Sequence, residues 1–136
     1  MVFFRIILLS LFLSIGALAN GQASHADTIR MLCQTWMIKE VYIPKFEENE
    51  KDELNDYINN TRMQFIRDWT VIMKDGPEQM KGKWELKGKN INILMEEGTA
   101  IEMTIISLSI DSFHFESRNP GSDELVTSAL IIPEKK

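Results

Sequence analysis

Between Phe65 and Leu94 two patterns follow one another, and together they leave the chain few folds to adopt. The segment Phe65-Ile66-Arg67-Asp68-Trp69-Thr70-Val71 reads as a short apolar strand, an acidic turn and a second strand. From Gly82 to Leu94 two alternating strands hinge on Gly88-Lys89-Asn90. Trp84 and Leu86 fall on one face, Lys83, Glu85 and Lys87 on the other, and Ile91, Ile93 and Met95 repeat the period. Alternation with a period of two is the mark of a half-buried strand. Connections this short cannot carry the crossover that a parallel pair needs, so the pairing is antiparallel.

The same pattern extends in both directions. Leu32 to Ile43 is rich in strand formers and stops at Pro44, with Trp36, Ile38 and Tyr42 on one face and Met37, Val41 and Ile43 on the other. Phe46 to Arg62 changes character: it is dense in charge, with Leu54, Tyr57 and Ile58 at helical spacing. This predicts one short helix over Glu50 to Asn59, its stripe packed over the first strand or closing one end of the sheet. Strands follow at Arg62–Arg67, Trp69–Lys74, Lys81–Lys87, Asn90–Met95, Ala100–Ser107, Asp111–Ser117 and Leu125–Ile132. Asp75-Gly76-Pro77, Glu97-Gly98 and Asn119-Pro120-Gly121-Ser122 supply turns between them. The expectation is all-β: an antiparallel eight-stranded meander with one short helix after the first strand. Closing it into a barrel removes the exposed edges of an open meander.

The N-terminus stands apart from this pattern. Arg5 precedes an apolar run from Ile6 to Ala19, and small residues allow cleavage after Ala19 or after Ala23. The run is shorter than the roughly 20 residues of a spanning helix, so it reads as a secretory signal peptide. Residues 1–23 are expected to be removed, leaving 24–136 as one exported domain, periplasmic or secreted, with no membrane span. Ser24 to Ile29 reads as a loose polar terminus. Without residues 1–23 the chain keeps all 20 acidic residues and loses only Arg5 among its 15 bases, a formal charge of −6. That sign argues against nucleic acid and against an anionic membrane surface as partners.

Cys33 is the only cysteine, so the fold stands without an internal disulfide. Arg30-Met31-Leu32 before it are not the small residues of a lipid-attachment site. A free thiol packed as a small hydrophobe is expected, with an intermolecular disulfide as the alternative. Catalytic chemistry has little to stand on. The two histidines, His25 and His114, lie far apart, and no His-x-x-x-His pair, cysteine pair or Gly-rich phosphate loop occurs. Only a Cys33–His114 contact made by the fold would supply a nucleophile and base. Acid runs at Glu47–Glu53 and Glu96-Glu97 lack the pattern of a calcium loop and read as solvated charge. No enzyme activity, metal or cofactor is therefore expected.

Nine residues fall at inward positions and are the candidate ligand contacts: Trp36, Phe65, Val71, Met73, Trp84, Met95, Met103, Phe113 and Phe115. A barrel of eight strands either is filled by such side chains or holds one small ligand, and methionine suits adaptable binding surfaces.

These residues also carry a resemblance. Leu32 and Trp36, then Phe65, Asp68 and Thr70, then Gly82, Trp84 and Leu86, and last Leu108-Ser109-Ile110-Asp111 before Phe113 and Phe115 form a series of motifs. In these the chain resembles the bacterial lipocalin-like domain proteins exported by Bacteroidetes. It departs at Gln34 and Trp69, where that family has glycine. The resemblance implies a lipocalin-like barrel whose motifs mark turns and core tryptophans, and a bacterial origin that would leave the Asn59-Asn60-Thr61 glycosylation sequon silent. The functional expectation is a non-enzymatic protein binding a small hydrophobic ligand in the barrel. The alternative is a cell-envelope interaction module with a filled core, a protein partner and no ligand.

Overall fold

Eight antiparallel strands close on themselves in sequence order, β1 pairing with both β2 and β8. The structure, a computed structural model, describes residues 24–134, so the expected signal peptide lies outside the described residues. The strands are β1 (Thr35–Tyr42), β2 (Thr61–Phe65), β3 (Thr70–Asp75), β4 (Glu78–Lys87), β5 (Asn90–Met95), β6 (Ala100–Leu108), β7 (Phe113–Arg118) and β8 (Leu125–Pro133). Helix α1 (His25–Leu32) precedes them, and α2 (Lys51–Asn60) fills the connection from β1 to β2. The eight-stranded meander and its helix after the first strand are as the alternation predicts.

Short turns hold the register. Gly76-Pro77 joins the paired ends Asp75 and Glu78, and Gly88-Lys89 joins Lys87 and Asn90. In both, the glycine has φ +60, the first position of a two-residue hairpin loop that glycine adopts without steric cost. Inward alternation is clearest in β4 and β5, where Trp84, Leu86, Ile91, Ile93 and Met95 are all buried.

The N-terminal segment is the first correction. Ser24 to Ile29 is not loose: Ser24 caps α1, its hydroxyl accepting from the Asp27 amide at 3.1 Å. Ser24-x-x-Asp27 with Ile29 and Leu32 downstream is a helix-start pattern, because capping satisfies an amide that would otherwise lack a partner. Leu32 is fully buried and Ile29 packs on the same core. Trp36 Nε1 donates to Leu32 O at 2.9 Å, tying the helix end to β1. Gln34 Nε2 donates to both Met31 O and Ile110 O, at 3.0 Å each, so α1 is also tied to the β6–β7 turn. The side chain at this non-glycine position therefore has structural work of its own.

The second correction concerns β1. The strand starts at Thr35 instead of Leu32, and its pairing with β8 slips between Ile38 and Glu40. An extra residue in one strand reverses the parity beyond it. Val41 therefore turns inward against the core, and Tyr42 turns out, 61% exposed.

Candidate binding cavity

The two ends of the barrel are built differently. At the end shared by α1 and the β2–β3 turn, the interior is solid. Phe65 meets Trp84 edge-on at 5.1 Å, Trp69 lies 4.8 Å from Trp84, and Trp36 meets Phe113 edge-on at 5.8 Å. Trp84 Nε1 donates to Ile66 O at 3.0 Å, so the indole clamps the turn that precedes β3. Asp68 Oδ1 accepts from the Thr70 amide at 2.9 Å, and the Thr70 side chain, with that amide second, holds the Asp68 carboxyl below its usual range. Trp69 keeps a positive φ of +70. The turn is thus left-handed there, as a glycine would make it, although tryptophan fills the position. The strain of a left-handed bulky residue is of order 1–2 kcal/mol, and the contact between the Trp69 and Trp84 rings opposes it.

At the other end, under α2, lies a cavity of about 110 Å³. Its wall is mostly apolar: Trp36, Ile38, Val41, Met63, Met73, Ile93, Ile101, Met103, Phe115, Ala129 and Ile131. Four polar side chains, Tyr57, Thr61, Ser117 and Thr127, complete it. Tyr57 comes from α2 and Thr61 opens β2, and these are joined by the helix's last bond, Thr61 N–H to Tyr57 O. Burial and the nearby Asp75 carboxylate push the Tyr57 phenol above its usual range. A groove of about 510 Å³ runs outside along α2 and shares Val41, Tyr57 and Thr127 with the cavity wall.

Of the nine residues named from the sequence, Trp36, Met73, Met103 and Phe115 line this cavity. Phe65, Val71, Trp84, Met95 and Phe113 are buried in the interior but are absent from its wall. Ile38, Ile93, Ile101, Ala129 and Ile131 could have been read from inward parity. Val41 could not, because the bulge hides it. The hydroxyls Thr61, Ser117 and Thr127 gave no signal, since small polar residues near strand ends read as turn neighbours.

Thr61 stands out. It is only 4% exposed, and its Oγ1 has no hydrogen-bond partner among the described residues. An unsatisfied buried hydroxyl costs about 1–3 kcal/mol. Thr61→Val keeps the shape and removes the hydroxyl, so the free protein is expected to gain about 1 kcal/mol of stability in urea unfolding. A loss of that size instead would mean that the hydroxyl is satisfied in the folded protein.

Cys33 and His114 do not form a hydrogen-bonded pair among the described residues. His114 Nε2 bonds Ser128 Oγ at 3.0 Å on the far side of β7 from Phe113 and Phe115. Cys33 is free and packs against the core, and burial pushes its thiol above the usual range despite Arg67. No group of three His, Cys, Asp or Glu among the described residues is placed to hold a metal ion. No described helix is long and apolar enough to cross a membrane.

A closed meander barrel with an interior cavity at one end is a lipocalin-like architecture, which suggests a binding-type protein. The chain matches the model of the Lipocalin-like domain over residues 32–115, more than half its length, and it belongs to that family. The match opens at Leu32 and ends at Phe115, the first and last residues of the motif series above. No curated protein matches the chain. Among solved structures it is similar to the crystal structure of pallilysin from Treponema pallidum, at 12% identity and a TM-score of 0.42, over 90% of this chain and 95% of that one.

Proposed function

We propose that the protein is a non-enzymatic, exported binding protein that holds a small hydrophobic ligand in the cavity under α2. The cavity itself carries this reading: about 110 Å³ lined mostly by apolar residues, three methionines among them. An apolar cavity of about 150 Å³ takes benzene, whereas drug-sized ligands occupy about 300–1,000 Å³. The ligand body is therefore a single ring or a chain of a few carbons, and the flexible Met63, Met73 and Met103 adjust to it. Burial of ligand surface supplies roughly 25 cal/mol per Å² before the costs of association. His114 is engaged with Ser128 and shares no hydrogen bond with Cys33 among the described residues, in keeping with a non-catalytic role.

Mass spectrometry on protein purified from its native envelope tests the reading directly. A small apolar molecule is expected in denatured extracts and in no mock preparation. The intact mass should show the chain starting after Ala19 or Ala23. A preparation consistently free of small molecules would favour the alternative, an envelope interaction module. The solid α1 end of the barrel is the observation on that side.

A further inference from the structure

We infer that the ligand is a small cationic amphiphile, its apolar body in the cavity and an amine in the groove beside α2. This rests on the cavity reading above and specifies its ligand. Polarity is graded along the interior: the polar side chains of the cavity wall, Tyr57, Thr61, Ser117 and Thr127, come from α2 and from the strand ends beside it. Thr61 Oγ1, buried and unpartnered among the described residues, offers a hydrogen bond at this end. An apolar ligand in the cavity leaves that hydroxyl unsatisfied, whereas one with a polar atom next to its apolar body satisfies it.

The cavity and the groove adjoin at Val41, Tyr57 and Thr127, which line both, so a head group passing Thr61 would enter the groove between these side chains. The charged residues of that groove are Glu50, Glu53, Asp56 and Asp75, and no basic residue lines it. None of these four forms an ion pair among the described residues. A carboxylate head would add a like charge to this set, while an amine completes it. The groove is open to water, so the amine keeps part of its hydration and escapes the cost of burying a bare charge. Attraction of this kind weakens as salt screens it.

Three ligands with the same six-carbon chain separate the possibilities: hexylamine, hexanol and hexanoate, titrated calorimetrically into the purified protein at low and high salt. Hexanol is expected to bind, and hexylamine to bind at least about tenfold more tightly than hexanoate at low salt, since opposite charges attract and like charges repel through the same groove. High salt should narrow that ratio. The surface double variant Glu53→Gln/Asp56→Asn should weaken hexylamine binding more than hexanol binding, and an equal loss of both would overturn the cationic head. If hexanol binds but hexanoate equals or exceeds hexylamine, the cationic head is overturned and the cavity reading stands. If none of the three binds, the cavity reading falls, and the inference with it.

Discussion

Trp84→Ala is expected to remove about 3–5 kcal/mol of folding stability, the usual range for deleting a buried tryptophan. The indole is 3% exposed, and it joins three parts of the solid end. It packs edge-on against Phe65, lies under Trp69, and donates its N–H to Ile66 O in the β2–β3 turn. Domains of this kind have only about 5–15 kcal/mol in total, so the variant should sit near the limit of folding. Trp84→Phe separates the contributions. It keeps a ring in the cluster but removes the N–H donor and part of the indole's buried volume, while Ile66 O still accepts from the Trp69 amide at 3.1 Å. Its loss should be about 1–2 kcal/mol. Urea unfolding followed by circular dichroism reads both. A loss below about 1 kcal/mol for the alanine variant would show that Trp84 does not clamp this end.

Gly82→Ala should be the other severe change, and it explains why glycine stands two residues before that tryptophan. Gly82 pairs with Val71 on one side and Met95 on the other. A Cβ built there would lie 2.6 Å from Leu94 O, 2.8 Å from Met95 Sδ and 2.9 Å from Met95 Cα. The sulfur can swing away, but the two backbone atoms belong to β5 and cannot move without spreading the β4–β5 pair. Overpacking of this kind costs typically about 1–3 kcal/mol, occasionally more. Gly82→Val should cost more than alanine. Unfolding midpoints of the two variants check the order, and an alanine variant as stable as the parent would mean that the sheet yields at this point.

The barrel was legible because its signals are local and repeated. Alternation in β4 and β5 and the glycine turns at 76 and 88 each specify a hairpin, and chained hairpins make a meander. What escaped the sequence was what depends on non-local geometry. Helix α1 is short, and its two apolar anchors, Ile29 and Leu32, matter only because the barrel end presents a surface to receive them. The bulge in β1 is set by pairing with β8 and has no residue marker, yet it decides that Val41 faces in and Tyr42 out. Parity identified buried positions but not the level of the barrel at which side chains fail to meet. The rings of Phe65 and Trp84 pack together at one level, while under α2 Trp36 and Phe115 share the wall with three methionines, isoleucines and small side chains that leave a space between them. Gln34 and Trp69, the two departures from the family motifs, proved compatible with its turns. One replaces glycine with two side-chain hydrogen bonds, and the other keeps the left-handed backbone and packs its ring at a tilt against Trp84.

Methionine methyl NMR puts a ligand-binding interior to the test, because the chain carries its own reporters. Met63, Met73 and Met103 line the cavity, Met95 lies in the solid interior, and Met80 is exposed on the surface. On titration with hexanol, saturable shifts are expected at Met63, Met73 and Met103, with Met80 and Met95 unmoved. Unchanged spectra throughout the titration, or shifts largest at Met80, would contradict a ligand-binding interior.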